Sequence, residues 1–405
     1  MSALLVLVAA GAVRVAAQEP AAAPAPPPPP EPAAPPPAPA PPPPPAPAEQ
    51  KLPVEAKLDG YLNADTRYSF AEEGPRTFLL RRARLGVTGT AYKFIDFRYL
   101  MEFASGDASS IASVQDAYVN VRFLPAVQVQ AGQFKAPFAR EWATSARWVD
   151  FIERSTVADE TRGDREMGLA VHGSLYGDLF EYWLGVFNGT RINRSDNNHE
   201  KDYLARLVAQ PVKGLYVGGT FTSGDQEAQI GVRGRTPDRS VTFFPSDTVE
   251  GLRQRGGLEA ALFHGPFSVS GEFLTTSEEV PDQTDDFVTR GWYAGGTFLL
   301  TGEVKPAWRT VRPLQNFDPT AGTWGAVEVE ARYERFRLDT DHVFTLKSGQ
   351  TDEIGQLWLG ASWYWNPNVV FRVNFIHTNF EHPVSIGGVL EDTEDSIFTR
   401  LQLSF

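Results

Sequence analysis

The chain has no cysteine and only 3 methionines among its 405 residues. That excludes a thiol nucleophile, a thiolate metal centre and a disulfide scaffold. It is compatible with export, because disulfides are optional even in oxidising compartments. Long apolar runs are also lacking. Past the first residues, no stretch approaches the 18 consecutive apolar positions of a membrane-spanning helix, so a helical membrane protein is excluded. Positive charge is in deficit. The 37 Lys and Arg against 50 Asp and Glu leave a net charge of -13, which argues against nucleic acid as a partner. The 6 histidines (His172, His199, His264, His342, His377 and His382) form no HxH or HxxxH pair. No metal, no cofactor and no catalytic constellation is implied, and the chain reads as a non-enzyme.

Aromatics and glycine, by contrast, are plentiful: 27 Phe, 12 Tyr, 9 Trp and 35 Gly. The mean hydropathy of -0.26 would ordinarily indicate a soluble protein. A barrel with a wet inner face and an apolar outer face gives the same average. Residues 1–17 carry an apolar run, Leu4 to Val13, and then the small-residue site Val15-Ala16-Ala17; they read as a signal peptide, although no Lys or Arg precedes the run. Residues 18–52 are mostly Ala and Pro, with unbroken runs at Pro26 to Pro30 and Pro41 to Pro45. A segment with few core-forming residues and few backbone donors is expected to be a disordered, extended tether. It reads as a spacer; contact with peptidoglycan is the alternative.

From residue 54 the organising period is two. Ile95, Phe97, Tyr99, Met101 and Phe103 alternate with Asp96, Arg98, Leu100 and Glu102. Successive strand side chains point to opposite faces, so one face is apolar and the other mostly charged. Ala117, Val119, Val121 and Phe123 repeat the pattern, and Phe371, Val373 and Phe375 do so around Arg372 and Asn374. Period alone fits a soluble sandwich as well as a transmembrane barrel; number and spacing separate them. Sixteen candidate strands begin near Val54, Thr77, Phe94, Val114, Val127, Gly168, Leu179, Tyr203, Gly214, Gly257, Pro266, Arg290, Thr323, Gln356, Asn368 and Ser396. Short connections fall at 124–126, 175–178, 210–213, 265–266 and 366–368, and long ones at 136–166, 188–202, 223–256, 276–288, 339–355 and 380–395. One connection, 302–322, is long where a short one is due. Short turns at one end, long loops at the other and an even strand count describe an all-β, 16-stranded antiparallel transmembrane β-barrel over 54–405. A sandwich of that size needs two domains, and no linker divides the segment. Sixteen strands leave room for an aqueous channel. Trp363 and Trp365 fall where an interfacial aromatic girdle belongs.

The segments Arg81 to Thr90 (RRARLGVTGT), Ala131 to Phe138 (AGQFKAPF), Ser145 to Arg154 (SARWVDFIER) and Gly185 to Gly189 (GVFNG) follow one another along the first half. Leu300 to Glu303 (LTGE), Gly325 to Tyr333 (GAVEVEARY), Trp363 to Asn368 (WYWNPN) and Phe398 to Phe405 follow in the second. In this order they resemble the phosphate-selective porin O and P family, and the resemblance covers about 54–405. The aromatic last residue, Phe405, likewise resembles the closing strand of Gram-negative outer-membrane barrels. The resemblance implies a homotrimeric porin in the Gram-negative outer membrane, in contact with lipid and lipopolysaccharide, its third long loop folded into the lumen. Its implied function is passive diffusion of small anions, phosphate or polyphosphate-like. A weakly selective general porin and a structural envelope barrel are the alternatives, and an outer-membrane phospholipase or protease is the enzymatic one.

Loop 136–166 sits where the constriction is expected. Lys135, Arg140, Arg147, Arg154, Arg162 and Arg165 lie in or beside it, offset by Glu141, Asp150, Glu153, Asp159, Glu160, Asp164 and Glu166. Only its front part, Lys135 to Arg147, is net positive. On and beside the second strand, Arg76, Arg81, Arg82, Arg84, Lys93 and Arg98 meet a single acid, Asp96. Alternation puts Arg82 and Arg84 on one face, opposite Ala83, Leu85 and Val87. Charge toward lipid is costly at mid-depth, so these arginines should face water. Guanidinium pairs bidentately with phosphate oxygens, and rings of Arg or Lys admit such anions. The candidate anion path is therefore Lys135, Arg140, Arg147, Arg82, Arg84 and Arg98. A competing reading stays open: these arginines pair with Asp59, Asp96, Glu102 and Asp116 and stiffen the wall. The acidic runs at Glu278 to Asp286 and Glu391 to Asp395 read as solvated outer loops, or as bridges through divalent cations to lipopolysaccharide.

Overall fold

The computed structural model describes residues 53–104, 112–161, 163–339 and 345–405. The expected signal peptide and tether, with Arg162 and His342, lie outside the described residues. In chain order the first strands are β1 (Val54–Ser69), β2 (Arg76–Ala91), β3 (Ile95–Glu102), β4 (Ser113–Leu124), β5 (Val127–Lys135) and β6 (Arg165–Leu175). Next come β7 (Phe180–Phe187), β8 (Asp202–Val212), β9 (Leu215–Ile230) and the short β10 (Gly234–Arg235) and β11 (Thr242–Phe244). The rest are β12 (Thr248–His264), β13 (Phe267–Glu278), β14 (Phe287–Leu299), β15 (Ala326–Asp339), β16 (Glu353–Asn366), β17 (Val369–Ile386) and β18 (Val389–Ser404). All but β10 and β11 form one closed antiparallel barrel of neighbours in sequence, sealed where β1 pairs with β18, Tyr61 opposite Ser404 and Ser69 opposite Ser396. Closure leaves no strand edge for hydrocarbon to strand without hydrogen bonds.

The alternation explains which face each residue takes. Along β15, Glu328, Glu330, Arg332 and Glu334 are buried, while Ala331, Tyr333, Arg335 and Arg337 are exposed. Arg372, Asn374 and Arg400 on β17 and β18 are buried on the inner face in the same way. The outer surface carries Leu58, Phe78, Leu207 and Leu258, all more than half exposed. A polar interior inside an apolar wall is the arrangement that lipid demands.

The turns 92–94, 125–126, 176–179, 213–214, 265–266 and 367–368 lie at the same end as Val54 and Ser404. Short turns mark the periplasmic end. The extracellular end holds 136–164, 188–201 and 231–247. The anomalous connection spans 300–325, belongs to the periplasmic end and runs inward. Trp363 and Trp365 sit near that end, clustered with Phe317 and Trp324.

Two expected loops are corrected. The long loop at 380–395 is a tall hairpin: β17 and β18 run on to a turn at Gly387-Gly388, with φ of 59° and 97°. β18 thus starts at Val389 rather than near Ser396, and Glu391 to Asp395 lie on a strand. Likewise β9 continues to Ile230 and β12 starts at Thr248, not near Gly257, so the loop at 223–256 shrinks to 231–247. Above the membrane the outward face meets water instead of lipid and carries polar residues such as Glu250, Gln254 and Glu381, so the apolar alternation fades while the hydrogen-bonded ladder continues.

Candidate functional site

The AGQFKAPF segment shows how local sequence launches the constriction loop. Gly132, at φ 122°, crosses the neighbouring strand so closely that a Cβ would lie 2.3 Å from the Ala117 carbonyl oxygen. Only glycine fits such an approach. Three residues on, β5 ends at Lys135 and the chain turns into the lumen. Short helices α1 (Arg140–Ala143) and α2 (Thr156–Glu160) form within the loop. Ser155 caps α2, its Oγ accepting from the Ala158 N–H at 3.0 Å and donating to Glu141 at 2.8 Å. Phe138, Trp142, Val157 and Ala158 pack with wall residues such as Phe336 and Leu274.

Among the groups that pin the loop to the wall, one carboxylate gathers the most partners. Glu153 lies 2.7 Å from Arg67, 2.7 Å from Arg81, 3.4 Å from Arg82 and 3.2 Å from Arg400. Asp65 joins the group, 2.7 Å from both Arg67 and Arg400. Four guanidinium groups thus meet two carboxylates, and the cluster keeps a net positive charge. Burial alone would raise the Glu153 carboxyl, but Arg81, Arg82, Arg67 and Arg400 hold it well below the usual carboxylate range. Arg81 reaches this cluster through a β-bulge: Asn63 faces Arg82 and Ala64 faces Leu80, so Arg81 is the extra residue and turns inward beside Arg82. Strict alternation would have sent it to the lipid.

The sequence-derived path residues are all drawn to the lumen side, and each has a partner. Arg82 reaches Glu153 at 3.4 Å. Arg84 donates to Glu102 at 2.7 Å and to the Tyr61 hydroxyl at 2.8 Å. Arg98 bridges Asp59 at 2.6 Å and Asp116 at 3.2 Å. Arg147, from the loop, takes the other oxygen of Asp59 at 2.5 Å. Arg140 pairs with Glu259 at 3.0 Å. Lys135 donates to the carbonyls of Trp142 and Thr144 at 2.7 and 2.8 Å, holding the loop's own backbone. Arg154 does the same work, donating to the carbonyls of Glu141 and Thr144; burial and the nearby Arg82 bring its guanidinium down to about 10. Pairs with Asp59, Glu102 and Asp116 are those of the wall-stiffening reading. Two of the bases, Arg81 and Arg98, keep 23% of their side chain exposed.

Sequence reasoning missed Arg67 and Arg400, although their inward positions on β1 and β18 follow from alternation. It also missed two further segments in the lumen. Loop 231–247 folds in with β10 and β11, burying Phe243 and Phe244, and clamps α2 through Arg235–Glu160 at 2.9 Å and Arg239–Asp159. From the other side, the 300–325 connection buries Lys305 between Asp150 and Glu328, 2.6 Å from each. Burial would lower the Lys305 ammonium; the two carboxylates outweigh it and raise it above the ordinary lysine value. Trp308 lies with Arg140 4.3 Å from its ring centroid. Beneath the constriction loop is a space of about 630 Å³, where Arg140 and Arg332 face Glu141, Asp150, Glu259 and Glu272 between the rings of Trp148, Tyr293 and Trp308. Above it, about 620 Å³ opens between α2 and the 231–247 loop, lined by Arg233, Arg253 and Arg255 with Asp164, Glu166 and Glu278. Among the described residues no group of His, Cys, Asp and Glu is placed to hold a metal.

Comparison with known proteins agrees with the barrel fold. The family model for phosphate-selective porin O and P matches residues 57–405. Porin O of Pseudomonas aeruginosa is 27% identical over 393 residues, covering 86% of this chain and 88% of that protein. Among solved structures, the anion-selective porin from Comamonas acidovorans superposes with a TM-score of 0.59 at 13% identity, over 87% of this chain and all of that one. The outer-membrane channel DcaP of Acinetobacter baumannii gives 0.57 at 10% identity, over 87% of this chain and 97% of its own. At such identities these structures carry the fold alone.

Proposed function

The chain belongs to the phosphate-selective porin O and P family and is a porin of the Gram-negative outer membrane, and from that premise we propose that its lumen passes small anions, phosphate and polyphosphate among them, by passive diffusion. One observation carries this reading: the guanidinium surplus around Glu153, set on the lumen wall where the constriction loop is pinned. Confined between low-dielectric walls, such a surplus is poorly screened and concentrates anions. Arg81 and Arg98 offer donors directly; Arg84, Arg140 and Arg147 present partly covered ones; Arg82 acts through its field, and Lys135 holds the loop backbone. The test is planar-bilayer recording in a salt gradient. A reversal potential displaced toward the anion's equilibrium value supports the proposal, and none at all overturns it.

A second reading rests on its own observation. The lower space holds four carboxylates against two guanidiniums, and most bases above are neutralised by a partner. That balance fits a weakly selective porin, whose reversal potential would sit near zero with normal conductance. A barrel without conductance would be structural.

We further infer assembly as a homotrimer, supported by the trimeric form in which a structurally similar Vibrio cholerae outer-membrane protein was solved. Cross-linking in intact membranes that stops at monomers would refute it. The inferred domain plan is cleavage after Ala17, with 18–52 as a tether between leader and barrel, touching peptidoglycan if anything. A mature amino terminus elsewhere than Gln18, read by mass spectrometry, would revise it.

A further inference from the structure

Outside the lumen, β14 and β15 carry charge on the face that alternation assigns to lipid. The outward positions of β15 run Val329, Ala331, Tyr333, Arg335, Arg337 toward the extracellular end. On β14, Trp292 stands opposite Arg335 and Arg290 opposite Arg337. Like charges directly opposite one another destabilise a sheet, and the Arg290–Arg337 rung has the single carboxylate of Asp339 to share between its two guanidiniums. All three guanidinium side chains are about half exposed, at 51%, 54% and 52% for Arg290, Arg335 and Arg337. The acids facing them are Asp339, 3.4 Å from Arg290 and 3.9 Å from Arg337, and Glu353, paired with Arg335. Among the described residues, three cations against two carboxylates leave the patch positive.

Its height is set by the rings below it. Trp292 and Tyr333 lie 5.7 Å apart on the same outer face, above the apolar Phe298 and Val329. Such aromatics mark the edge of the hydrocarbon band. At about 3.4 Å per residue, Arg335 lies roughly 7 Å and Arg337 roughly 14 Å along the strand beyond Tyr333. That is headgroup level, on the extracellular leaflet, and pointing away from any solute in the channel.

We propose that Arg290, Arg335 and Arg337 form a docking site for the phosphate groups of lipopolysaccharide, the phosphorylated glycolipid of that leaflet. Guanidinium donates bidentately to phosphate oxygens. A phosphate seated between Arg290 and Arg337 would relieve their repulsion, while the acyl chains run down over Trp292 and Phe273. The site rests on outer-membrane placement and not on the transport reading, so conductance and lipid binding fail independently.

The test uses the purified full chain in detergent, titrated with bisphosphorylated lipid A and with the same lipid A after dephosphorylation, and read by native mass spectrometry. Wild type should prefer the phosphorylated form by about tenfold or more, as charge-assisted contacts predict. The R290Q/R335Q/R337Q variant should lose that preference while keeping the heat-resistant barrel mobility. Should the triple variant fail to assemble, R290K/R337K keeps the charge, loses the fork geometry and should show an intermediate preference. No preference in wild type, or an unchanged one in the variants, overturns the site. A variant that alters the subunit stoichiometry while preserving lipid preference also overturns it, and makes the patch a contact between copies of the chain.

Discussion

Lys305 and Asp150 meet 2.6 Å apart inside the lumen, although one enters from the periplasmic end and the other from the extracellular loop. The contact ties two independent constrictions into one. Lys305→Met should leave Asp150 and the fully buried Glu328 without their cation. Stranding one partner of a buried pair costs about 3–5 kcal/mol. The expected result is an earlier heat-induced loss of the folded electrophoretic form, with a larger single-channel conductance in molecules that do fold. Unchanged melting and conductance would show that the contact does not hold the two segments together.

Glu153 should govern how firmly the constriction loop is held. Glu153→Gln leaves Arg67, Arg81, Arg82 and Arg400 with Asp65 alone, and should cost a similar few kcal/mol and give noisier, larger currents. The pH dependence follows from the depressed carboxyl. A group whose folded pKa is lowered stabilises fully above its unfolded value, about 4.3, and loses that contribution as the pH falls toward the folded value. The anchoring that Glu153 supplies should therefore stay intact from pH 8 to 5 and weaken only below about 4, where the current becomes unstable. The Glu153→Gln channel should lack this acid transition; keeping it would assign the transition to another group.

Selectivity should depend on position as well as on charge. Arg81→Gln with Arg98→Gln removes two lumen guanidiniums that each keep 23% of the side chain exposed and should shift the reversal potential toward cations. Neutralising the exposed Asp285 and Asp286 on the outer loop should matter far less, since their field decays over roughly 8 Å at physiological salt. Equal shifts from both pairs would mean that the channel senses only its overall charge. Neutral replacements suit Arg140 and Arg147 as well, because Glu at those positions would confront Glu259 and Asp59.

Gly132→Ala should impair assembly without touching any charge. At φ 122° and 2.3 Å from the Ala117 carbonyl, a methyl group must push β4 and β5 apart. The measurable outcome is a reduced yield of heat-resistant barrel. Wild-type yield would mean that the two strands separate at little cost.

Most of the barrel was legible because the membrane writes its pattern strongly: each stave within lipid must alternate, and β1 to β8 begin within about three residues of their expected starts. The hairpin of β17 and β18 and the upper half of β12 were not, since above the lipid the outward positions meet water and lose the apolar half of the pattern. The site was half legible. Alternation could place Arg82, Arg84 and Arg98 inward, and did. It could not reveal the bulge that turns Arg81, nor that Glu153, counted only as an offsetting acid, gathers arginines from three different strands. Partners far apart in sequence leave no local trace.

The rung between Tyr61 and Ser404 has a kinetic consequence. It joins positions that leave the ribosome at nearly opposite times, so the seam cannot form while synthesis is under way. Pairing across such a sequence distance pays its chain-entropy cost late and slowly. Until it forms, the sheet has two raw borders that no bilayer can solvate. A chain lacking its last stave is therefore not a narrower pore; it is an open ribbon.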